Sequence, residues 1–208
     1  MVVGDACNYN FSIQRVGSRK LGKLLIISGP SGVGKGAIIE RLLSNKKLNL
    51  IFSISHTTRS RRSNEVDGVN YFFITKEQFR LNIESGKMLE YAQFFDNYYG
   101  TSREWVENML QEGRNVLLEI ETIGFKQMLE KKIDLVSIFI APPSMEELEG
   151  RLKNRGTESG QDVKIRLEKA ASEMADSALF QHVVVNDVLE DAVREIEGIF
   201  LRQILNEN

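Results

Sequence analysis

The stretch Leu24-Leu25-Ile26-Ile27-Ser28 followed by Gly29-Pro30-Ser31-Gly32-Val33-Gly34-Lys35-Gly36 constrains this chain more than any other. An apolar run without alternation reads as a strand buried on both faces. A glycine-rich loop follows it, and residues 37–43 then predict a helix. Strand, glycine loop, lysine and helix together form a phosphate cradle. Glycines let backbone N–H groups turn inward on an anion, the helix N-terminus adds partial positive charge, and Lys35 reaches the outer phosphates. The pattern departs at one point: a hydroxyl residue is expected after the lysine to help hold Mg²⁺, and Gly36 and Ala37 stand there. Taken alone, a glycine-rich turn without chemistry is the alternative, which only the remaining sequence can exclude.

A chain of 208 residues suits one domain with small inserted lobes and a sizeable core. The formal charge of −2 gives no sign of general affinity for nucleic acid or anionic membrane. One cysteine, Cys7, excludes an internal disulfide and fits a reducing compartment. No run approaches the roughly 20 apolar residues of a membrane span. Residues 1–20 lack the basic start and apolar run of a secretory signal. They read as a flexible extension of a cytoplasmic protein; with Arg15, Arg19 and Lys20 free of acidic neighbours, a cleaved targeting arm is the alternative.

Further strands are predicted over 50–55, 71–74, 88–95, 116–120, 135–140 and 183–185. Helices are predicted over 76–85, 102–111, 125–131, 144–154, 162–178 and 189–205, with Thr75 as a cap and residues 97–100 as a turn. Continuous apolar strands alternating with helices imply a parallel sheet covered on both faces, hence an α/β fold. Residues 55–104 break that rhythm and read as a lobe inserted into the core.

Four groups carry candidate chemistry. Ser55-His56-Thr57-Thr58-Arg59-Ser60-Arg61-Arg62, with Glu65, Gly68 and Tyr71, suits phosphate oxygens, since arginine forks and a phenol donate to them. A solvated basic loop is the plain alternative, but ligands of such folds bind at the carboxyl ends of the strands. Glu90 alternates with apolar neighbours, which on its own predicts a solvent-facing carboxylate; it is followed by Asn97-Tyr98-Tyr99-Gly100-Thr101. Glu119 and Glu121 end a buried strand, a costly place for unpaired acids; the first could orient Mg²⁺ or its waters, the second could face an acceptor. Arg151, Arg155 and Arg166 flank a glycine-containing segment and could close over phosphates, or else belong to salt-bridged helices with Glu147, Glu149 and Glu168.

Gly29-Pro-Ser-Gly-Val-Gly-Lys35, Ser55-x-Thr-Thr-Arg59-x-x-Arg62, Glu65-x-x-Gly68-x-x-Tyr71, Glu90-x-Ala-x-Phe94, Asn97-Tyr-Tyr-Gly-Thr101, Ile140-Ala-Pro-Pro143, Arg151-Leu-x-x-Arg155-Gly-Thr and Val185-Asn-Asp187 occur in this order. The ordered set closely resembles guanylate kinase, from about residue 23 to 204.

The resemblance implies a P-loop NTPase fold. Its three-layer parallel-sheet core comprises residues 23–54, 105–145 and 170–208. A mixed α/β lobe binding GMP spans 55–104, and a helical lid spans 146–169, behind an extension over 1–22. It further implies Mg-dependent, reversible ATP:GMP phosphotransfer in purine nucleotide metabolism, by a cytoplasmic monomer or small homo-oligomer without nucleic-acid or membrane partners.

Residue by residue, Gly29, Pro30, Ser31, Gly32, Val33, Gly34, Lys35, Gly36 and Asn186 would bind ATP, with Asp187 near the adenine. Arg59, Arg62, Tyr71 and Tyr99 would hold the GMP phosphate, while Ser55, Glu90, Thr101 and Glu121 would read guanine. Lys35, Arg151, Arg155 and Arg166 would be catalytic, and Glu119 would meet the metal through water. Guanine's Watson–Crick N–H donors suit Glu90 and Glu121, and its O6 suits the hydroxyls of Ser55 and Thr101. Adenine would leave buried partners unpaired, at about 1–3 kcal/mol each.

The chain departs from the family at Gly36 and Ala37, at Glu121 where Asp is frequent, at Ile123 for Gln and at Arg61 for Pro. The rival expectations are a guanylate-kinase-like module binding phosphopeptides, against which Lys35 and the lid arginines speak, and a kinase for another nucleoside monophosphate, against which Glu90, Glu121 and Thr101 speak.

Overall fold

In a computed structural model that describes residues 20–94, 96–154 and 160–205, the chain runs β1 (Leu24–Ser28), α1 (Lys35–Ser44), β2 (Leu50–Phe52), β3 (His56–Thr57), β4 (Phe72–Phe73) and α2 (Lys76–Glu84). There follow β5 (Met88–Phe94), β6 (Asn97–Ser102), α3 (Arg103–Gln111), β7 (Asn115–Glu119) and α4 (Thr122–Glu130). The chain closes with β8 (Val136–Ala141), α5 (Met145–Asn154), α6 (Gly160–Ala175), β9 (His182–Val185) and α7 (Leu189–Leu205).

Every residue of β1 is buried, as its unbroken apolar run requires of a central strand. Successive side chains point to opposite faces. Leu25 and Ile27 therefore enter a cluster with Ile38 and Leu42 of α1 and Ile196 and Phe200 of α7. Leu24 and Ile26 enter a second one with Leu110 of α3 and Phe125 and Met128 of α4. Full burial of each such side chain is worth about 1.5–3 kcal/mol. The sheet is parallel in the order β2-β7-β1-β8-β9, with helices on both faces.

A second sheet, ordered β4-β3-β6-β5, is mixed: β3 and β4 are parallel, while β6 pairs antiparallel with both β3 and β5. Two local expectations change here. The apolar run over 50–55 is not one strand. The chain makes its last core-sheet bond at Ser53, whose N–H donates to Leu117 O at 3.0 Å, and Ser55 O already accepts from Phe72 N at 2.9 Å in the second sheet. Residues 97–100 are not a simple turn but the start of β6, because their turn-forming side chains leave the backbone free to pair with β5.

Thr75 caps α2 as expected, accepting from Gln78 N in a reciprocal capping box. Ser102 caps α3 by a single bond, accepting from Trp105 N without a reciprocal partner.

Candidate active site

At the carboxyl end of β1, Gly34 takes φ 101° and serves as the N-cap of α1 without any side-chain cap. The left-handed conformation favours glycine, and a Cβ there would lie 2.5 Å from Asn186 Nδ2. That amide donates to Val33 O at 2.7 Å, pinning the loop to the turn after β9. The uncapped first turn of α1 presents backbone N–H groups at the loop, which is how a helix start receives an anion. Lys35 Nζ donates to Gly29 O (2.6 Å) and Pro30 O (3.2 Å) and lies 3.8 Å from Glu119 at the end of β7. Arg166 of α6 donates to Ser31 Oγ at 2.6 Å. Arg151 donates to Asn186 O at 2.9 Å and pairs with Glu147 at 3.2 Å. Arg155 lies outside the described residues.

The second sheet carries the other candidates. Arg59 makes a bidentate pair with Glu65, at 2.7 and 3.1 Å. Glu65 also accepts from Arg62 N at 2.8 Å, so one carboxylate fixes the loop holding both arginines. The pair holds the Glu65 carboxyl below its ordinary value, through the Arg59 bond first, and Arg59 above its own. Arg59 lies over the Tyr71 ring at 5.6 Å, and Tyr71 meets Tyr99 edge-on at 6.0 Å. Burial, then the charge of Glu119, pushes the Tyr71 phenol up and keeps it a hydrogen-bond donor.

Glu90 does not face solvent as strand alternation alone suggests. The β5–β6 register slips between Met88 and Glu90, and the irregularity leaves Met88, Leu89 and Glu90 all buried. Thr101 Oγ1 donates to Glu90 Oε1 at 2.6 Å. Burial pushes the Glu90 carboxyl up to about 7, against the Thr101 bond and the Lys131 charge and with the help of Glu121. Glu121, the N-cap of α4, accepts from Lys169 Nζ at 2.8 Å. That ammonium also lies 3.7 Å from Glu173 and 4.1 Å above the Phe94 ring. Through Arg166 and Lys169, α6 thus contacts the glycine loop at Ser31, the start of α4 at Glu121 and β5 at Phe94.

A sequence profile for guanylate kinase matches residues 21–203. The chain belongs to the guanylate kinase family. Guanylate kinases are ATP:GMP phosphotransferases, a class of nucleoside monophosphate kinase. A guanylate kinase of Mesoplasma florum is 49% identical over 187 residues, which are 90% of this chain and 63% of that protein. One of Mycoplasmoides gallisepticum is 48% identical over 185 residues, 89% of this chain and 95% of that protein. The crystal structure of guanylate kinase from Anaplasma phagocytophilum superposes with a TM-score of 0.71 at 33% identity, covering 89% of this chain and 87% of that one.

In guanylate kinase terms, the structure brings Lys35, Ser31, Arg166 and Glu119 together at the loop, and Arg59, Tyr71 and Tyr99 together on the second sheet. Glu90 and Thr101 form one buried pair. Arg62 is exposed, and Ser55 is half-buried at the crossing between the sheets.

Lys169, and Gln127 whose side-chain amide bonds the Tyr91 backbone, carry no motif in the sequence. Lys169 lies three positions after Arg166, so helix spacing puts both on one face of α6. Nothing in the sequence pairs it with Glu121, 48 positions away.

Proposed function

We propose that this chain catalyses reversible transfer of the ATP γ-phosphate to GMP or dGMP, giving ADP and GDP or dGDP, with ATP on the β1–α1 loop and GMP on the second sheet. The observation that carries the reading is the buried Glu90–Thr101 pair on the inserted sheet, beside the Arg59–Tyr71–Tyr99 cluster. A carboxylate accepts from guanine N1–H and the 2-amino group; Thr101 donates to that carboxylate and leaves its oxygen lone pairs to accept, Ser55 supplies a hydroxyl donor, and Glu121 a second acid. Arg59, Arg62, Tyr71 and Tyr99 take the GMP phosphate. Residues 55–104 then form the GMP lobe, and residues 146–169 the lid.

Phosphoryl transfer needs alignment and charge neutralisation rather than proton chemistry. The nucleophile is a GMP phosphate oxygen, already anionic because the second phosphate pKa is about 6. It forms a bond to the γ-phosphorus as the bond to the β-phosphate oxygen breaks. Lys35, Arg151 and Arg166 offset the spreading negative charge, joined by Arg155 through the family resemblance.

Among the described residues no cluster of His, Cys, Asp or Glu could hold a metal by itself. That fits Mg²⁺ carried on ATP phosphates and water rather than in an all-protein cage. Glu119, half-exposed beside Lys35, would hold one of its waters. Bound there, the ion neutralises phosphate charge. The single cysteine and the nucleotide substrates support a cytoplasmic setting. Among the described residues no helix is long and apolar enough to cross a membrane.

Reciprocal binding tests the two-half arrangement. Lys35→Ala should abolish ADP release while calorimetric GMP affinity stays within about twofold; Arg59→Ala should weaken GMP by about 10- to 100-fold and leave ATP affinity intact. Loss of GMP affinity in Lys35→Ala, or full GMP affinity in Arg59→Ala, would overturn the assignment.

A further inference from the structure

Strand β5 lies at an edge of the second sheet, and α4 covers that edge through one helix face. Residues 124, 127 and 131 recur at i, i+3 and i+7 and so share a side of the helix and its C-terminal end. Each meets a different one of three neighbouring residues of β5: Glu90, Tyr91 and Leu89 respectively. Gln127 clasps the Tyr91 backbone twice, accepting from its N–H at 3.1 Å and donating to its carbonyl at 2.6 Å. Lys131 Nζ donates to Leu89 O at 2.5 Å. These groups do for the edge what a neighbouring strand would do, and they bracket Glu90 in sequence. Between them, Gly124 abuts the carboxylate itself. A Cβ at that position would lie 2.2 Å from Glu90 Oε2 and 3.1 Å from its Cδ, far inside contact distance. Gly124 is buried within a helix, where glycine costs about 1 kcal/mol relative to alanine, so its presence needs a packing reason.

We infer that the Gly124–Gln127–Lys131 face of α4 is the positioning device for the guanine-reading acid: Gly124 leaves room for the Glu90 carboxylate, and Gln127 and Lys131 fix the strand on either side of it. The inference rests on the reading of Glu90 as a guanine contact. It adds that guanine selection depends on a helix of the ATP-binding core and not on the inserted lobe alone. Because α4 starts three residues after Glu119 and carries Glu121 as its cap, the same helix sets both acids relative to the phosphate loop.

The test is steady-state kinetics on the full chain, with each nucleotide varied separately. Glu90→Gln checks the underlying reading and should raise the KM for GMP by about 10-fold or more. Gly124→Ala should raise the KM for GMP by about 10- to 100-fold through displacement of the carboxylate, with kcat and the KM for ATP within about twofold. In a Glu90→Asp background, whose carboxylate is withdrawn by one methylene, Gly124→Ala should add less than about twofold. A purely structural role for Gly124 would instead give the same penalty in both backgrounds. Gln127→Ala adds no volume and should raise the KM for GMP about 5- to 10-fold, again sparing ATP; it decides the matter if Gly124→Ala does not fold. Should Glu90→Gln leave the KM for GMP unchanged, the guanine reading itself falls. Should Glu90→Gln raise it while Gly124→Ala or Gln127→Ala leaves it unchanged, or raises both nucleotide KM values alike, only the positioning inference is overturned.

Discussion

Glu90 concentrates the energetics of the site in one side chain. Burial raises its pKa to about 7, while the Thr101 hydrogen bond and the Lys131 charge pull the other way. Guanine donates N–H groups, so it binds the ionised carboxylate. The KM for GMP should therefore fall as pH rises from about 6 to about 8, and this dependence should flatten in Glu90→Gln. The variant also corrects for the GMP phosphate, which titrates in the same range. The sign for stability is opposite. A folded pKa above the ordinary 4.5 means the folded chain holds its proton more tightly. The contribution is fully present below about pH 4.5 and is lost as pH rises through about 7. Initial rates at several GMP concentrations across this range check the first statement, and a slope unchanged in Glu90→Gln would refute it. Sequence alternation alone pointed Glu90 at solvent; the register slip that buries it leaves no mark in the residues themselves. Arg59 and Glu65, six positions apart within one loop, were visible as a group, though not as a bidentate pair.

Among elements, α1 carries the sharpest departure from the phosphate-loop pattern. A Cβ on Gly36 would meet nothing within 4 Å, so space does not explain the glycine. A serine there fits the helix and returns the hydroxyl that such loops use toward Mg²⁺. Gly36→Ser should lower the Mg²⁺ concentration giving half-maximal rate by about 2- to 5-fold, as one added neutral hydrogen bond allows. A titration of rate against Mg²⁺ at fixed ATP checks this, and an unmoved midpoint would show the hydroxyl to be dispensable. Core strands and helices were readable because burial on both faces writes a continuous apolar run and helix faces write a 3.6-residue rhythm. The second sheet was less so. Its β3 and β4 are two residues each, and β6 is spelled Asn97-Tyr98-Tyr99-Gly100-Thr101-Ser102, where turn composition hides a paired strand.

At the scale of the molecule, three long-range links hold the loop, the inserted sheet and α6 in one arrangement. Arg166 reaches Ser31, Lys169 pairs with Glu121 at the start of α4, and the same ammonium lies over the Phe94 ring of β5. None of these is local in sequence, which is why motifs supplied the members of the site while the structure supplied their pairing. The same links join the two nucleotide halves that the proposed reaction requires. That reaction is tested most directly by ADP release from Mg-ATP with GMP, AMP, CMP or UMP offered in turn. Turnover with GMP should exceed that with each of the other three by at least about 100-fold, since several guanine-specific bonds are lost together in each. No turnover with any of the four, or a preference for AMP, would contradict it.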